Sequence, residues 1–215
     1  MAHRRHHYEV AFEAFLRERR IPYVGVNEAR KALLPAGATL RLADDNGHGP
    51  ALKSFDFVVY GDGVNLLLDV KGRKIGGRCG DGTGWRPVTR SGLQSWVTRE
   101  DVTSLEAWEG LFGHGFEAAF VFVYWCDEQP PDGLFQEIFV HRGRWYALRA
   151  VTRGDYARAM RERSRRWGTV FVPAGEFERI SQPFAPAVEA LGAPAQFDPG
   201  PGVPALDPIA GKRPA

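Results

Sequence analysis

The 215-residue sequence predicts a mixed α/β domain, a central sheet flanked by helices, extended at its C-terminal side by a β-hairpin and a further helix. Three observations predict it. An amphipathic helix opens the chain, two apolar strands follow around a glycine-rich turn, and a capped helix leads into a nearly continuous apolar run. Such a run is expected of a central strand covered on both faces.

The first helix is predicted from Tyr8 to Arg19, because Val10, Ala11, Ala14 and Phe15 recur at helical spacing. Pro22 ends it, and Tyr23 to Val26 reads as a short strand. Asn27 to Leu34 is expected to add a helical turn before a loop from Pro35 to Pro50. Phe55 to Tyr60 is β-branched and aromatic, Gly61-Asp62-Gly63 suits a hairpin turn, and Val64 to Lys71 returns as a second strand. Gly72 to Ser95 holds seven glycines and little apolar content, so a mobile loop is expected there. Trp96 to Thr98 is a short strand, and Thr98 with Asp101 three residues on reads as a capping box. The helix it opens buries Val102, Leu105, Trp108 and Phe112, and Ala118 to Trp125 is the central strand.

Past Pro130, Phe135 to His141 and Arg144 to Ala150 form a predicted hairpin around Arg142-Gly143. Thr152 with Asp155 caps a helix predicted to reach about Arg166, Trp167 to Val172 is a strand, and Phe184 to Leu191 is helical. The expected organisation is a core over residues 1–130, a hairpin and helix extension packed on it over 131–192, and a disordered Pro/Gly-rich tail over 193–215.

Hydrophobic residues at 44% and charged residues at 25% describe a soluble globular chain, and no apolar run is long enough to span a membrane. Cys79 and Cys126 lie far apart without zinc-ligand spacing, which predicts a reduced, cytoplasmic protein. The net charge of +2 hides local basic patches. His141 to Arg179 holds ten arginines against four acidic residues, and Lys71, Arg73, Lys74 and Arg78 form a second cluster. Such patches suit a polyanion such as nucleic acid, a solvated charged face being the plainer alternative. Arg158, Arg161 and Arg165 would form one basic stripe on the predicted helix. Of Trp85, Trp96, Trp108 and Trp145, only loop-borne Trp85 is expected to escape burial and offer a ring to bases.

Asp69 and Lys71, two apart on one strand, point to the same face while Leu66, Leu68 and Val70 fill the other. Asp56 lies on the preceding strand, at a comparable distance from the turn, so the two carboxylates should meet. Each interrupts an apolar strand, where an unpaired charge is costly and a metal would supply the partner. Two carboxylates suffice for Mg²⁺, which keeps several waters, and a neighbouring ammonium can orient a nucleophile or stabilise developing charge. A salt-bridged surface pair is the alternative.

Asp56 followed by Asp69-Val70-Lys71 resembles the PD-(D/E)xK nuclease signature, with Ser54-Phe55 before the first aspartate. The element order, from a helix bearing Glu9 to the apolar strand, resembles the archaeal Holliday-junction resolvases of that superfamily over about Tyr8 to Trp125. His7-Tyr8-Glu9-Val10-Ala11-Phe12-Glu13 resembles the HYExAFE motif that labels a bacterial family. The resemblance implies a restriction-endonuclease-like fold and Mg²⁺-dependent endonuclease activity on DNA, with Mn²⁺ as a substitute and branched DNA as the substrate. Asp56, Asp69 and the Val70 carbonyl would bind the metal, Lys71 would position the attacking water, and Glu9 would complete the site. Glu13, one turn on, would share that role or hold an arginine. Gln94 falls where related nucleases place a polar substrate contact, and a homodimer is implied. The alternatives are another nuclease of restriction, repair or RNA processing, and a nucleic-acid-binding protein that does not catalyse.

Overall fold

The computed structural model describes residues 7–27, 41, 51–61, 63–78, 85–86, 89, 92–130, 134–135 and 137–184. Helix α1 (His7–Glu18) buries Ala11 and Phe15 of the predicted stripe, with Phe12 and Leu16 in place of Val10 and Ala14, which are half-buried. Three strands follow as an antiparallel meander: β1 (Tyr23–Gly25), β2 (Phe57–Val59) and β3 (Asn65–Ile75). Two minor strands, β4 (Gly77–Arg78) and β5 (Trp85–Arg86), pair with each other. Short β6 (Val97–Thr98) leads into helix α2 (Arg99–Phe112), and β7 (Phe116–Cys126) then runs parallel to β3 over its whole length. Parallel neighbours need a crossover, and α2 supplies it.

The hairpin β8 (Glu137–His141) and β9 (Arg144–Thr152) joins the same sheet, β9 pairing antiparallel with β7. Its turn places Arg142 and Gly143 at positive φ, 49° and 71°, which a glycine adopts at little cost. The strand order is β1-β2-β3-β7-β9-β8, a mixed sheet as predicted, which the hairpin extends to six strands. Helix α1 covers one face, with Phe12, Phe15, Leu66, Leu68, Val121 and Phe184 in its core. Helix α2, α3 (Arg153–Ala159) and α4 (Ala174–Ile180) supply the other face, where Val102, Leu105, Phe120, Phe122, Tyr156 and Phe177 are buried. Among the described residues no helix is long and apolar enough to cross a membrane.

Three expectations are corrected. The strand predicted to stop at Lys71 continues to Ile75, because β7 pairs with it that far, and β4 and β5 also fall within the span expected to be a loop from Gly72. The helix predicted from Thr152 to Arg166 stops at Ala159, and Met160 is already extended. Arg161–Ser164 instead forms strand β10, hairpinned to β11 (Thr169–Phe171), which also pairs with β6. The single helical stripe of Arg158, Arg161 and Arg165 therefore does not exist. Helix α4 was not predicted. The helical turn expected at 28–34, the helix expected at 185–191 and the tail at 193–215 lie outside the described residues.

Candidate active site

The register of β2 against β3 pairs Phe57 with Leu68, which sets Asp56 across from Asp69. Asp56 stands just before β2, held by backbone bonds on both sides: its amide donates to Leu68 O at 2.8 Å, and its carbonyl accepts from Val26 at 2.9 Å. Its carboxylate accepts from the Val70 amide at 2.7 Å and lies within hydrogen-bonding reach of Asp69. Alternation along β3 turns Leu66 and Leu68 toward α1 and brings Asp69 and Lys71 to the α2 side. There the Lys71 ammonium bridges Asp69 at 2.8 Å and Asp101 at 3.1 Å.

Asp101 serves two purposes. Its carboxylate accepts from the Thr98 amide at 2.8 Å while the Thr98 hydroxyl accepts from the Asp101 amide at 3.1 Å, the predicted capping box. The same carboxylate receives Lys71 and also Lys53, whose ammonium lies 3.0 Å from Asp101, 3.1 Å from the Thr98 hydroxyl and 3.0 Å from Glu100. The sequence reading identified Asp101 only as a cap and missed Lys53 altogether. An acid at the third helical position, one crossover from a DxK strand, is the signal that could have found Asp101. Nothing in the sequence marks Lys53.

Burial sets the electrostatics. It pushes the Asp56 carboxyl well above its ordinary range, and the charge of Glu9 adds to this, while the Val70 amide and Lys71 pull it back. Asp69 is also raised, first by burial and then by Asp56, despite the Lys71 ammonium. Burial works against the Lys71 charge, but Asp69 and Asp101 outweigh it and hold the lysine above its ordinary value. Burial also opposes the Asp101 charge, yet Lys71, Thr98 and Lys53 together hold that carboxyl down at about 2. Asp56 and Asp69 thus carry more buried acid than the shared ammonium neutralises.

Glu9 sits in the first turn of α1, and its charge acts on Asp56. The Tyr8 ring packs where a Gly72 side chain would go: a Cβ there would stand 2.1 Å from Tyr8 Cδ2. Glycine after Lys71 thus lets the first turn of α1 settle directly on β3. Glu13 is committed elsewhere, accepting from Arg17 at 2.7 Å and Tyr23 at 2.8 Å.

The proposed nucleic-acid contacts are scattered. Arg73, on the site face, donates to the carbonyls of Gly72 and Trp96 and stacks 3.9 Å over the Trp96 ring. Lys74 pairs with Asp127 at 3.1 Å and lies over Trp125. Gln94 is exposed and accepts from the Trp96 indole at 3.4 Å. Arg158 pairs with Asp155, and Arg165 stands 3.9 Å from Glu162. Arg161 is exposed on β10. The side chains of Arg78 and Trp85 lie outside the described residues.

The donor set suits a hard divalent cation of the magnesium kind. Asp56 and Asp69 adjoin on neighbouring strands, and among the described residues no three His, Cys, Asp or Glu side chains gather into a cage. Magnesium takes one or two carboxylates and fills its remaining positions with water.

No family model matches the sequence, and no curated protein matches it. Among solved structures the chain is similar to Hjc, a Holliday junction resolvase of the archaeal hyperthermophile Archaeoglobus fulgidus, at 13% identity and a TM-score of 0.36. The match covers 76% of this chain and 92% of that one. What the site can do rests on its own side chains.

Proposed function

We propose that the protein is a Mg²⁺-dependent endonuclease that hydrolyses DNA phosphodiester bonds, with branched or otherwise structured DNA as its substrate and Mn²⁺ as a substitute metal. The observation that carries this reading is the meeting of Asp56 and Asp69 across β2 and β3, with Lys71 2.8 Å from Asp69. Asp56, Asp69 and the Val70 carbonyl would hold the ion. When bound, magnesium neutralises charge on the phosphate and makes water a better nucleophile at neutral pH.

Lys71 stays an ammonium through the neutral range, so it acts as a donor and not as a base. Its hydrogen bonds orient the attacking water or stabilise charge building on the phosphate. Asp101, 3.1 Å from that ammonium, gives it a second carboxylate and would keep it in place were Asp69 to hold a cation. Glu9, in the first turn of α1, would complete the site through its charge on Asp56. A homodimer would offer two such sites to a symmetric branched substrate.

The test is cleavage of labelled four-way-junction, duplex and single-stranded DNA with Mg²⁺, Mn²⁺ or EDTA. Cutting is expected only with metal, and Asp69→Ala and Lys71→Ala should each abolish it without unfolding the protein. Cutting by both variants would remove the site assignment, and binding without cutting under every condition would leave a non-catalytic DNA-binding protein. Sedimentation that finds only monomers, with and without DNA, would remove the dimer.

A further inference from the structure

The β10–β11 hairpin was not foreseen, and nothing in the proposed chemistry uses it. Its residues 161–168 read Arg-Glu-Arg-Ser-Arg-Arg-Trp-Gly, four arginines against one acid. At its turn Gly168, at φ 55°, donates to the Arg165 carbonyl at 3.3 Å, and Trp167 beside it is 71% exposed. Its exposure leaves the indole available to stack on a planar partner at a basic turn. The Arg166 guanidinium lies 5.4 Å from its ring.

The hairpin is anchored to the candidate site. Strand β11 pairs with β6, and the Gly168 carbonyl accepts from the Arg99 amide at 2.7 Å, at the first residue of α2. The next two residues, Glu100 and Asp101, hold Lys53, and Asp101 holds Lys71. Beneath the hairpin a cleft of about 310 Å³ opens between Leu93, Gln94, Trp96, Arg163 and Phe171. Arg163 is exposed on β10 with its guanidinium 5.0 Å from the Trp96 ring, and among the described residues it has no acidic partner. Arg73 fixes the same ring in place at 3.9 Å. A turn-borne indole, a second indole at a cleft, a guanidinium without an acidic partner among the described residues and an exposed amide thus lie on or beside a hairpin bonded to the start of α2, the helix whose Asp101 holds Lys71.

We infer that this hairpin and cleft bind a DNA strand with unpaired bases, Trp167 stacking on one base and the Trp96 cleft receiving another. The chemistry favours an unpaired strand over duplex. A paired base hides both faces in its stack, whereas an unpaired base offers a face to any aromatic ring, and arginines track the backbone regardless of sequence. The choice of DNA rests on the nuclease reading; the preference for unpaired bases rests on the hairpin alone.

The test is binding in EDTA, where nothing is cut, to a labelled oligothymidylate of about 16 nucleotides and to a blunt duplex of the same length, read by anisotropy. Wild type should favour the oligothymidylate, and binding should quench tryptophan fluorescence. Trp167→Ala should weaken single-strand binding about tenfold and leave duplex binding nearly unchanged. Arg163→Ala should weaken it and reduce the slope of log affinity against log salt by about 0.7. Both side chains are exposed, so neither change should unfold the protein. Equal binding of the two DNAs, or single-strand binding untouched by Trp167→Ala, overturns the inference even if the protein cuts DNA. Tighter binding of oligouridylate overturns DNA as the occupant. Trp167-dependent single-strand binding by a protein that cuts nothing sustains the inference and removes the nuclease.

Discussion

At the scale of the residue, the site holds carboxyls displaced in opposite directions, so their neutral variants should change stability in opposite senses. Asp69 is raised above its ordinary range by burial. Above that range its charge therefore costs the folded state free energy. Asp69→Asn should stabilise the metal-free protein and raise its melting temperature, while abolishing cleavage. Asp101 is held at about 2 against an ordinary value of 3.8. Its charge contributes about 2 kcal/mol above that ordinary value, which is lost as pH falls through the folded value. Asp101→Asn should lower the melting temperature at neutral pH and slow cleavage without ending it, since Asp69 still holds Lys71. Calorimetry of the two variants in EDTA checks both signs. Asp56, Asp69 and Lys71 were legible in the sequence because charges that interrupt apolar strands advertise themselves. Asp101 was half legible, as a cap, and Lys53 was not, because a lysine in a loop looks like any other until α2 folds over it.

At the scale of the element, α1 and β3 meet through Tyr8 and Gly72 with no space to spare. Gly72→Ala should force the helix terminus away from the sheet, costing about 1–3 kcal/mol and moving Glu9 relative to Asp56. Cleavage should fall, and adding Tyr8→Ala should recover part of the stability, as a double-mutant cycle in thermal melts would show. The elements legible in the sequence were those with local signatures: the helical periodicity of α1, the capping box of Thr98 and Asp101, the apolar run of β7. Those that were not, β10 and the far end of β3, owe their form to partners distant in sequence. Met160 to Arg166 is acceptable to a helix by propensity, and the ladder to β11 overrides that weak preference.

At the scale of the whole molecule, the pH response should report whether the site is filled. Asp56 and Asp69 are both raised by burial, so in the metal-free protein the unfolded chain ionises first and stability falls as pH climbs from mildly acidic toward neutral. A divalent cation held by the ionised pair, as proposed above, would offset the fall, increasingly so at higher pH. Melting curves from about pH 5 to about pH 8, with EDTA or Mn²⁺, should diverge toward the alkaline end. Curves that stay parallel would argue against metal at this pair.

The parallel pairing of β3 with β7 also has a consequence in time. Residues 65–75 wait for residues 116–126 before their second neighbour exists, and Asp101 lies on the crossing helix between them. During translation the carboxylates and the lysine emerge long before the wall that seats them. A nascent chain is therefore unarmed for roughly its first half, and a fragment ending before Phe116 should be inert toward DNA however well it is expressed.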